Sequence, residues 1–330
     1  MPDRRTLLQA AAGAALSAAI PAAAPRAQGT GEWSPGRPVR IIVPFPPGGP
    51  NDIIARLYAP VLSSILRQAV VIENRGGAGG LVGTDAGVKS APDGSTFVIT
   101  NGGSLVISPH VTTVSYRVPE DMTLLSVVTR VPEALVASPR LGVRDFAGLV
   151  ALARREPRRI NIGTAGAAGI SHLAAELFKA QAAPEIVVVP YRGAAPAVTD
   201  LVSGQIQLLF ADLPVILPQI RGGSLQALAM ASERRSPALP DLPTTGELGH
   251  PGVVADNWYC MVGPPRLPEP IVARMMAALR EAAAAPEVRD ALAAQGAEAI
   301  WTSQEEFAAL VRTESPRWER VARAANIRAD

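Results

Sequence analysis

Three short stretches share one form: an apolar run, a glycine-rich turn, then the start of a helical pattern. They are VPFPPGGPND (43–52), VITNGGS (98–104) and NIGTAGAAGISH (161–172). A helix N-terminus presents main-chain N–H groups with no intrahelical acceptor, at the positive end of the helix dipole, so it attracts an anion. Gly48, Gly49, Gly102, Gly103, Gly166 and Gly169 would let a ligand reach those amides with no Cβ in the way. Asn51 or Asp52 could cap the first helix, and Ser171 the third. A tight turn requiring positive φ accounts for any one loop equally well. Their distribution adds to the argument. The first two loops belong to one set of strand–helix units and the third to a second set. Two lobes would turn helix starts toward one cleft, as in a hinged anion-binding protein.

The other candidates carry two readings each. Asp52 could act as a catalytic carboxylate, although capping explains it without further assumptions. His172 stands at a helix start beside Ser171 and could touch a ligand or make a structural hydrogen bond. Arg192, in PYRGAAP, could pair with a carboxylate or lie solvated on the surface. Asp212, in FADLP, ends a strand on the same presumed side, where it could accept from a ligand hydroxyl or amine, or cap a turn. Trp258 could wall a cleft or fill a core. Motifs of established catalytic classes are missing from the sequence. GGAGGLVG (76–83) puts Gly77 and Gly79 on the first two positions of a dinucleotide fingerprint, but Val82 on the third. Neither GxxxxGK[ST] nor GxSxG occurs, and His110, His172 and His250 lack metal-ligand spacing. No metal or cofactor is expected.

The elements that must position these residues alternate. Strands are expected at 39–45, 69–74 and 96–100, with a helix carrying Ile53, Ile54, Leu57, Val61, Leu62, Ile65 and Leu66 at helical spacing and a short one ending near Lys89. A second set has strands at 133–138, 159–164, 186–191, 206–212 and 225–232. Its helices are at 144–155, at 171–181 and over AAPAVTDLVSG, where Gly204 suits the residue after a helix end. Glycines within a few residues of the first short β runs suit parallel strands that feed helices. A Pro/Gly-rich connector covers 236–249, and NWYCMVGP (257–264) reads as one more strand. The C-terminus is helical from Pro270 to Gln295 and from Ser303 to about Ala325, with capping-box spacing between Ser303 and Glu306. Segments near 125–135 and 250–257 read as linkers.

The chain has 330 residues and a formal net charge of +2, which Arg4 and Arg5 largely explain. Those two arginines precede an Ala-rich apolar run from Leu7 to Ala24, so residues 1–28 read as an export signal cleaved near Ala22–Ala24 or Arg26–Ala27. DRRTLLQ also resembles a twin-arginine signal. A single cysteine, Cys260, excludes an internal disulfide. Roughly 300 residues remain after the leader, more than one core usually organises, so two lobes are expected. No basic block points to nucleic acid, and after the leader no apolar run reaches membrane length.

These residues together resemble the extracytoplasmic solute receptors of the tripartite tricarboxylate transporter family, the Bug-type receptors. The matching strings are RPVRIIVPFPPGGPNDIIAR, VVIENRGGAGGLVGTDAGVKSAPDGSTF, SHLAAELFKA, VPYRGAAPAVTDLVSGQIQLLF, RSPALPDLPT and APEVRDALAAQGAE, in family order from about Arg37 to the C-terminus. The resemblance implies an α/β, two-domain periplasmic-binding-protein (Venus flytrap) fold with a ligand cleft between the domains. Its expected parts are a first domain over 36–130, a second over 131–252, and a return to the first over 253–330. It implies a periplasmic, monomeric, non-catalytic receptor. The ligand would be a di- or tricarboxylate, acidic amino acid or aromatic carboxylate, delivered to integral-membrane permease subunits. Family ligands are held by the loops matching Pro47, Gly48, Gly49, Asn51 and Asp52; Asn101, Gly102, Gly103 and Ser104; and Thr164, Ala165, Gly166, Ala167, Gly169, Ser171 and His172. The positions of Tyr191, Arg192, Gly193 and Asp212 also tend to line the cleft.

This chain departs from the family pattern at Ala167, Ala168 and Ile170, where relatives are often richer in Ser and Asn. Pro50 likewise replaces a hydroxyl residue sometimes found in relatives. Both changes favour a ligand with an apolar part. Two alternatives stay open: a ligand sensor that docks on a signalling protein, and an exported α/β enzyme using Asp52 or His172 as base.

Overall fold

The computed structural model describes residues 33–327 except Ala168. The export segment read at 1–28 lies outside the described residues, as does Ala168 of the third loop. The first strands and helices follow the expected alternation. They are β1 (Val39–Val43), α1 (Pro50–Leu66), β2 (Val70–Asn74), α2 (Leu81–Val88), β3 (Thr96–Asn101) and the short α3 (Ser108–Val111). β1 pairs in parallel with both β2 and β3. α1 buries Ile54, Ala55, Tyr58, Ala59, Leu62 and Leu66 along one stripe and ends at Arg67 in the left-handed region.

The segment near 125–135 is not a linker. It forms β4 (Thr123–Val131) and, after Pro132 alone, β5 (Glu133–Ala137). β4 is buried at Leu124, Leu125, Ser126, Val127, Val128 and Thr129 in succession, so both of its faces are covered. A strand covered on both faces shows no in–out alternation, which hid it in the sequence. Pro132 has no N–H to give a ladder, and the chain changes sheets at this residue.

The second set contains α4 (Phe146–Arg155), β6 (Asn161–Thr164), α5 (Ile170–Ala182), β7 (Val187–Pro190), α6 (Ala194–Ser203), β8 (Leu208–Asp212), α7 (Leu213–Arg221) and β9 (Gln226–Met230). Asp145 caps α4 by accepting from Gly148 N–H at 2.7 Å. Gly204 ends α6 at φ 85°, as its position suggested. α7 was not anticipated, because Pro214 and Pro218 punctuate its sequence. Pro214 sits in the first turn, where its missing N–H costs nothing.

The chain returns through β10 (Asn257–Gly263), α8 (Glu269–Ala284), α9 (Pro286–Ala294), β11 (Glu298–Ala299) and α10 (Gln304–Ala324). The continuous helix expected over 270–295 is two, parted at Ala285 because Pro286 cannot donate back to the preceding turn. The capping box between Ser303 and Glu306 is present in both directions.

Among the described residues the strands form two sheets. One has the order β11-β4-β10-β3-β1-β2 and the other β7-β6-β8-β5-β9. The first draws on both ends of the described chain, the second on its middle. Within the second sheet β6 runs parallel to β7 and β8, while β5 is antiparallel to β8 and β9. Consequently the carboxyl ends of β1, β3, β6 and β7 carry the glycine-containing loops, and β8 ends beside them at Asp212. The antiparallel strands β5 and β10 begin at those same ends, Glu133 opposite Asp212 and Tyr259 opposite Asn101.

Candidate functional site, a cleft lined by both sheets

The first loop is shaped by Gly48, whose φ of +81° is a conformation other residues rarely adopt. Neither Asn51 nor Asp52 caps α1. Gly49 occupies the cap position without a side-chain bond, and Pro50 starts the helix. Asp52 instead reaches backward, accepting from Gly48 N–H (3.0 Å), Asn74 Nδ2 (2.9 Å) and the Arg56 guanidinium (2.9 Å). Burial pushes the Asp52 carboxyl up, but these hydrogen bonds outweigh it and hold the pKa below the ordinary value. Asp52 is therefore a latch for the loop and not a candidate base.

Asn51 turns the other way. Its Nδ2 donates to the Ile99 carbonyl (3.2 Å), and its Oδ1 accepts from Asn101 Nδ2 (3.2 Å). Asn101 Oδ1 in turn accepts from Ser104 N–H (3.1 Å), at the start of a π-helical turn over Gly103–Ile107. The second loop is thus tied to the first. Gly102 has a structural reason: a Cβ there would lie 2.8 Å from the indole of Trp258. Trp258 fills the core, packed edge-to-face on Phe307 with ring centroids 5.6 Å apart, and does not wall the cleft.

In the third loop Ser171 does not cap α5 either. Gly169 holds the cap position, and Ser171 Oγ accepts from Ala165 N–H at 2.9 Å, pinning the loop to its helix. Thr164 Oγ1 donates to the Gly166 carbonyl at 3.1 Å. Burial holds His172 below its ordinary pKa. In the fourth, Tyr191 OH donates to Asp200 Oδ2 (2.7 Å), and Gly193 at φ +123° leads into α6.

One cavity gathers these loops. It is lined by Pro47, Gly49, Asn51, Asn101, Gly103, Ser104, Ala165, Gly166, Ala167, Gly169, Ser171, Arg192, Gly193 and Asp212 of the expected residues. Gly48, Asp52, Gly102, Thr164, His172 and Tyr191 are not among its walls; they shape the loops from behind. Further walls escaped the sequence reading, among them Phe45, Pro46, Gly79, Ala194, Pro196, Glu133, Asn257 and Tyr259. Glu133 had a readable signal, as the one charged residue of a buried strand. Asn257 and Tyr259 lie two apart on β10 and so share a face. The enclosed volume is about 70 Å³, counted as space open to the centre of a water molecule, which suits a small molecule. Across the cleft the lobes come close: a Cβ on Gly103 would stand 3.5 Å from the Cα of Gly169.

The floor is acidic. Asp212 accepts from both Asn257 Nδ2 (3.2 Å) and the Tyr259 hydroxyl. Burial pushes its pKa up to about 7, against the opposing pull of Tyr259 and Asn257. Glu133 is raised too, by burial first and then by the charges of Asp212 and Asp256. Among the described residues no group of His, Cys, Asp and Glu is arranged to hold a metal ion, and no helix is long and apolar enough to cross a membrane.

Two α/β lobes with a small cleft between them define a binding protein of the periplasmic, Venus-flytrap class. Residues 54–327 match the tripartite tricarboxylate transporter family receptor, and the chain belongs to that family. It is 36% identical to protein BugT of Bordetella pertussis over 294 residues, 88% of this chain and 89% of that one. Its fold is similar to periplasmic binding protein BugD, with a TM-score of 0.84 and 30% identity over 89% of this chain and 99% of the other. Similar again are an R. palustris protein solved with adipate and MatC from Rhodopseudomonas palustris with bound malate. The first gives a TM-score of 0.86 and 34% identity over 89% of this chain and 99% of the other. The second gives 0.81 and 31%, over 87% and 99%.

Proposed function

We propose that this protein is an exported receptor that captures a small organic carboxylate in the cleft and delivers it to the permease subunits of a tripartite tricarboxylate-type transporter. The observation that carries this reading is the convergence of loops and helix starts from both sheets on one small cavity. α1, α5 and α6 all begin at its walls, so main-chain N–H groups and positive dipole ends face the same space. Pro47–Asn51, Asn101–Ser104 and Ala165–Ser171 would cradle the carboxylate, and Arg192 would add a charged donor. Relatives solved with adipate and malate support an acid as ligand.

The same geometry supports a role without catalysis. Asp52 is locked to Arg56 and Asn74, and His172 is not a cavity wall, so neither candidate base meets the ligand. The receptor works in the periplasm after removal of its N-terminal signal, and it acts as a monomer whose domains run 36–130 with 253–330 and 131–252.

Mass spectrometry of material released from purified native protein, with a thermal-shift screen of mono- and dicarboxylates, tests the reading. A carboxylate recovered unchanged that also raises the melting temperature is expected. No shift with any carboxylate, or turnover of the bound compound, would overturn it.

A further inference from the structure

The cleft that offers N–H groups on its walls carries carboxyl groups on its floor. Glu133 and Asp212 are directly opposed on the antiparallel strands β5 and β8, and only 2% and 6% of them is exposed. Like charges opposite one another weaken a sheet. Asp212 has donors to offset this, Asn257 Nδ2 and the Tyr259 hydroxyl. Glu133 does not: its Oε2 is buried and meets no hydrogen-bond donor among the described residues, although Glu133 is a cavity wall. A buried carboxyl oxygen without a donor costs free energy that the fold does not recover.

We propose that Glu133 and Asp212 form a cation-accepting end of the cleft, so that the ligand is an aminocarboxylate whose carboxylate sits in the loops and whose ammonium group lies between these two acids. This rests on the carboxylate reading above and narrows it. A dicarboxylate would instead bring another anion to the two acids, unless they gave it protons. The hydrogen bonds argue against that role for Asp212. Two donor groups already point at it, the arrangement of an ionised acceptor. An ammonium has three donors and no acceptor, so it can serve the Glu133 and Asp212 carboxyls together. The charged and titratable groups around the pair are Tyr259 on β10, Asp256 just before it, and Arg192 on the loop between β7 and α6, a wall of the same cavity. Of these only Arg192 is cationic, and no ion pair links it to either acid. Burial raises both acids, so in the free protein part of the population holds a proton there. An arriving ammonium would expel it.

Isothermal calorimetry on the mature full chain tests this, using α- and ω-aminocarboxylates against dicarboxylates of matched chain length, in two buffers of different ionisation enthalpy at neutral pH. Wild type is expected to prefer an aminocarboxylate by about ten- to hundredfold, the worth of a hydrogen bond to a charged group, and to release protons on binding. Glu133→Gln keeps the shape and removes the charge. It is expected to lose that preference while a circular-dichroism spectrum like that of wild type shows it folded, with Asp212→Asn as a second variant behaving alike. Preference for a dicarboxylate with proton uptake would overturn the proposal and leave the carboxylate reading standing. Binding of neither class would overturn both.

Discussion

Asn101 Nδ2 donates to Asn51 Oδ1 at 3.2 Å, although the two residues stand 50 apart in the chain. This bond joins the first two glycine loops, and Asn51 is only 1% exposed. Asn101→Ala leaves the buried Asn51 oxygen and the Ser104 amide without their partner. A loss of about 1–3 kcal/mol is expected from such an orphaned buried group. Chemical denaturation reads it directly, and ligand affinity should fall with it because both loops lose their mutual support. Unchanged stability would mean the bond is not formed in solution.

Gly102 and Gly103 are neighbours with separate reasons. A methyl at Gly102 would press on Trp258 at 2.8 Å, so Gly102→Ala should lower the melting temperature through core overpacking of about 1–3 kcal/mol. At Gly103 the added group would meet Asn101 Oδ1 at 3.2 Å and Gly169 Cα at 3.5 Å across the cleft. Gly103→Val should therefore hold the lobes apart and abolish binding, as titration calorimetry would show. Normal affinity in Gly103→Val would contradict the close approach of the two loops.

The same approach bears on hinge motion. Between the sheets the chain passes through Pro132 and through the segment between Met230 and Asn257. Receptors of this class close around ligands by hinge motion. The radius of gyration from small-angle scattering should fall at saturating ligand in wild type and stay large in Gly103→Val. A radius that ignores proven occupancy would indicate a rigid site.

Asp212 makes stability depend on pH in a defined direction. Its folded pKa of about 7 lies above the unfolded value of about 4, so between these the folded state holds more protons. Stability then falls as pH rises across that window. Glu133, also raised, acts in the same sense. His172, held low by burial, acts in the opposite sense but equally in wild type and variant. Between about pH 4 and 7 the melting temperature of Asp212→Asn should fall less than that of wild type. Identical slopes would show that Asp212 titrates normally.

Arg192 is exposed and lines the cavity, and in the function proposed above the loop amides supply the rest of the cradle. Arg192→Ala should weaken carboxylate binding by about 1.5–3 kcal/mol without eliminating it. Ligand at about 100 times its dissociation constant still adds ~2.7 kcal/mol of stability, so a thermal shift can follow both proteins. Complete loss of binding would make the guanidinium, not the main chain, the principal anchor.

Much of this architecture was readable one residue after another. Periodicity placed α1, α4 and α5, short β-rich runs placed β1, β3 and β6, and the glycine turns between them marked the loops that meet at the cavity. Those signals are local: they follow from how neighbouring side chains pack on one element. β4 escaped because a strand buried on both faces has no alternation, and α7 because its prolines look like breaks. The opposition of Glu133 and Asp212 depends on strand register, and the placing of Trp258 behind Gly102 on how β10 lies against β3. The sequence by itself determined the loops and the family. Only the tertiary structure decided that Asp52 turns to Asn74, that His172 is not a wall of the cavity, and that two acids share its floor. Those outcomes depend on pairings between residues far apart in the chain, which no local pattern records.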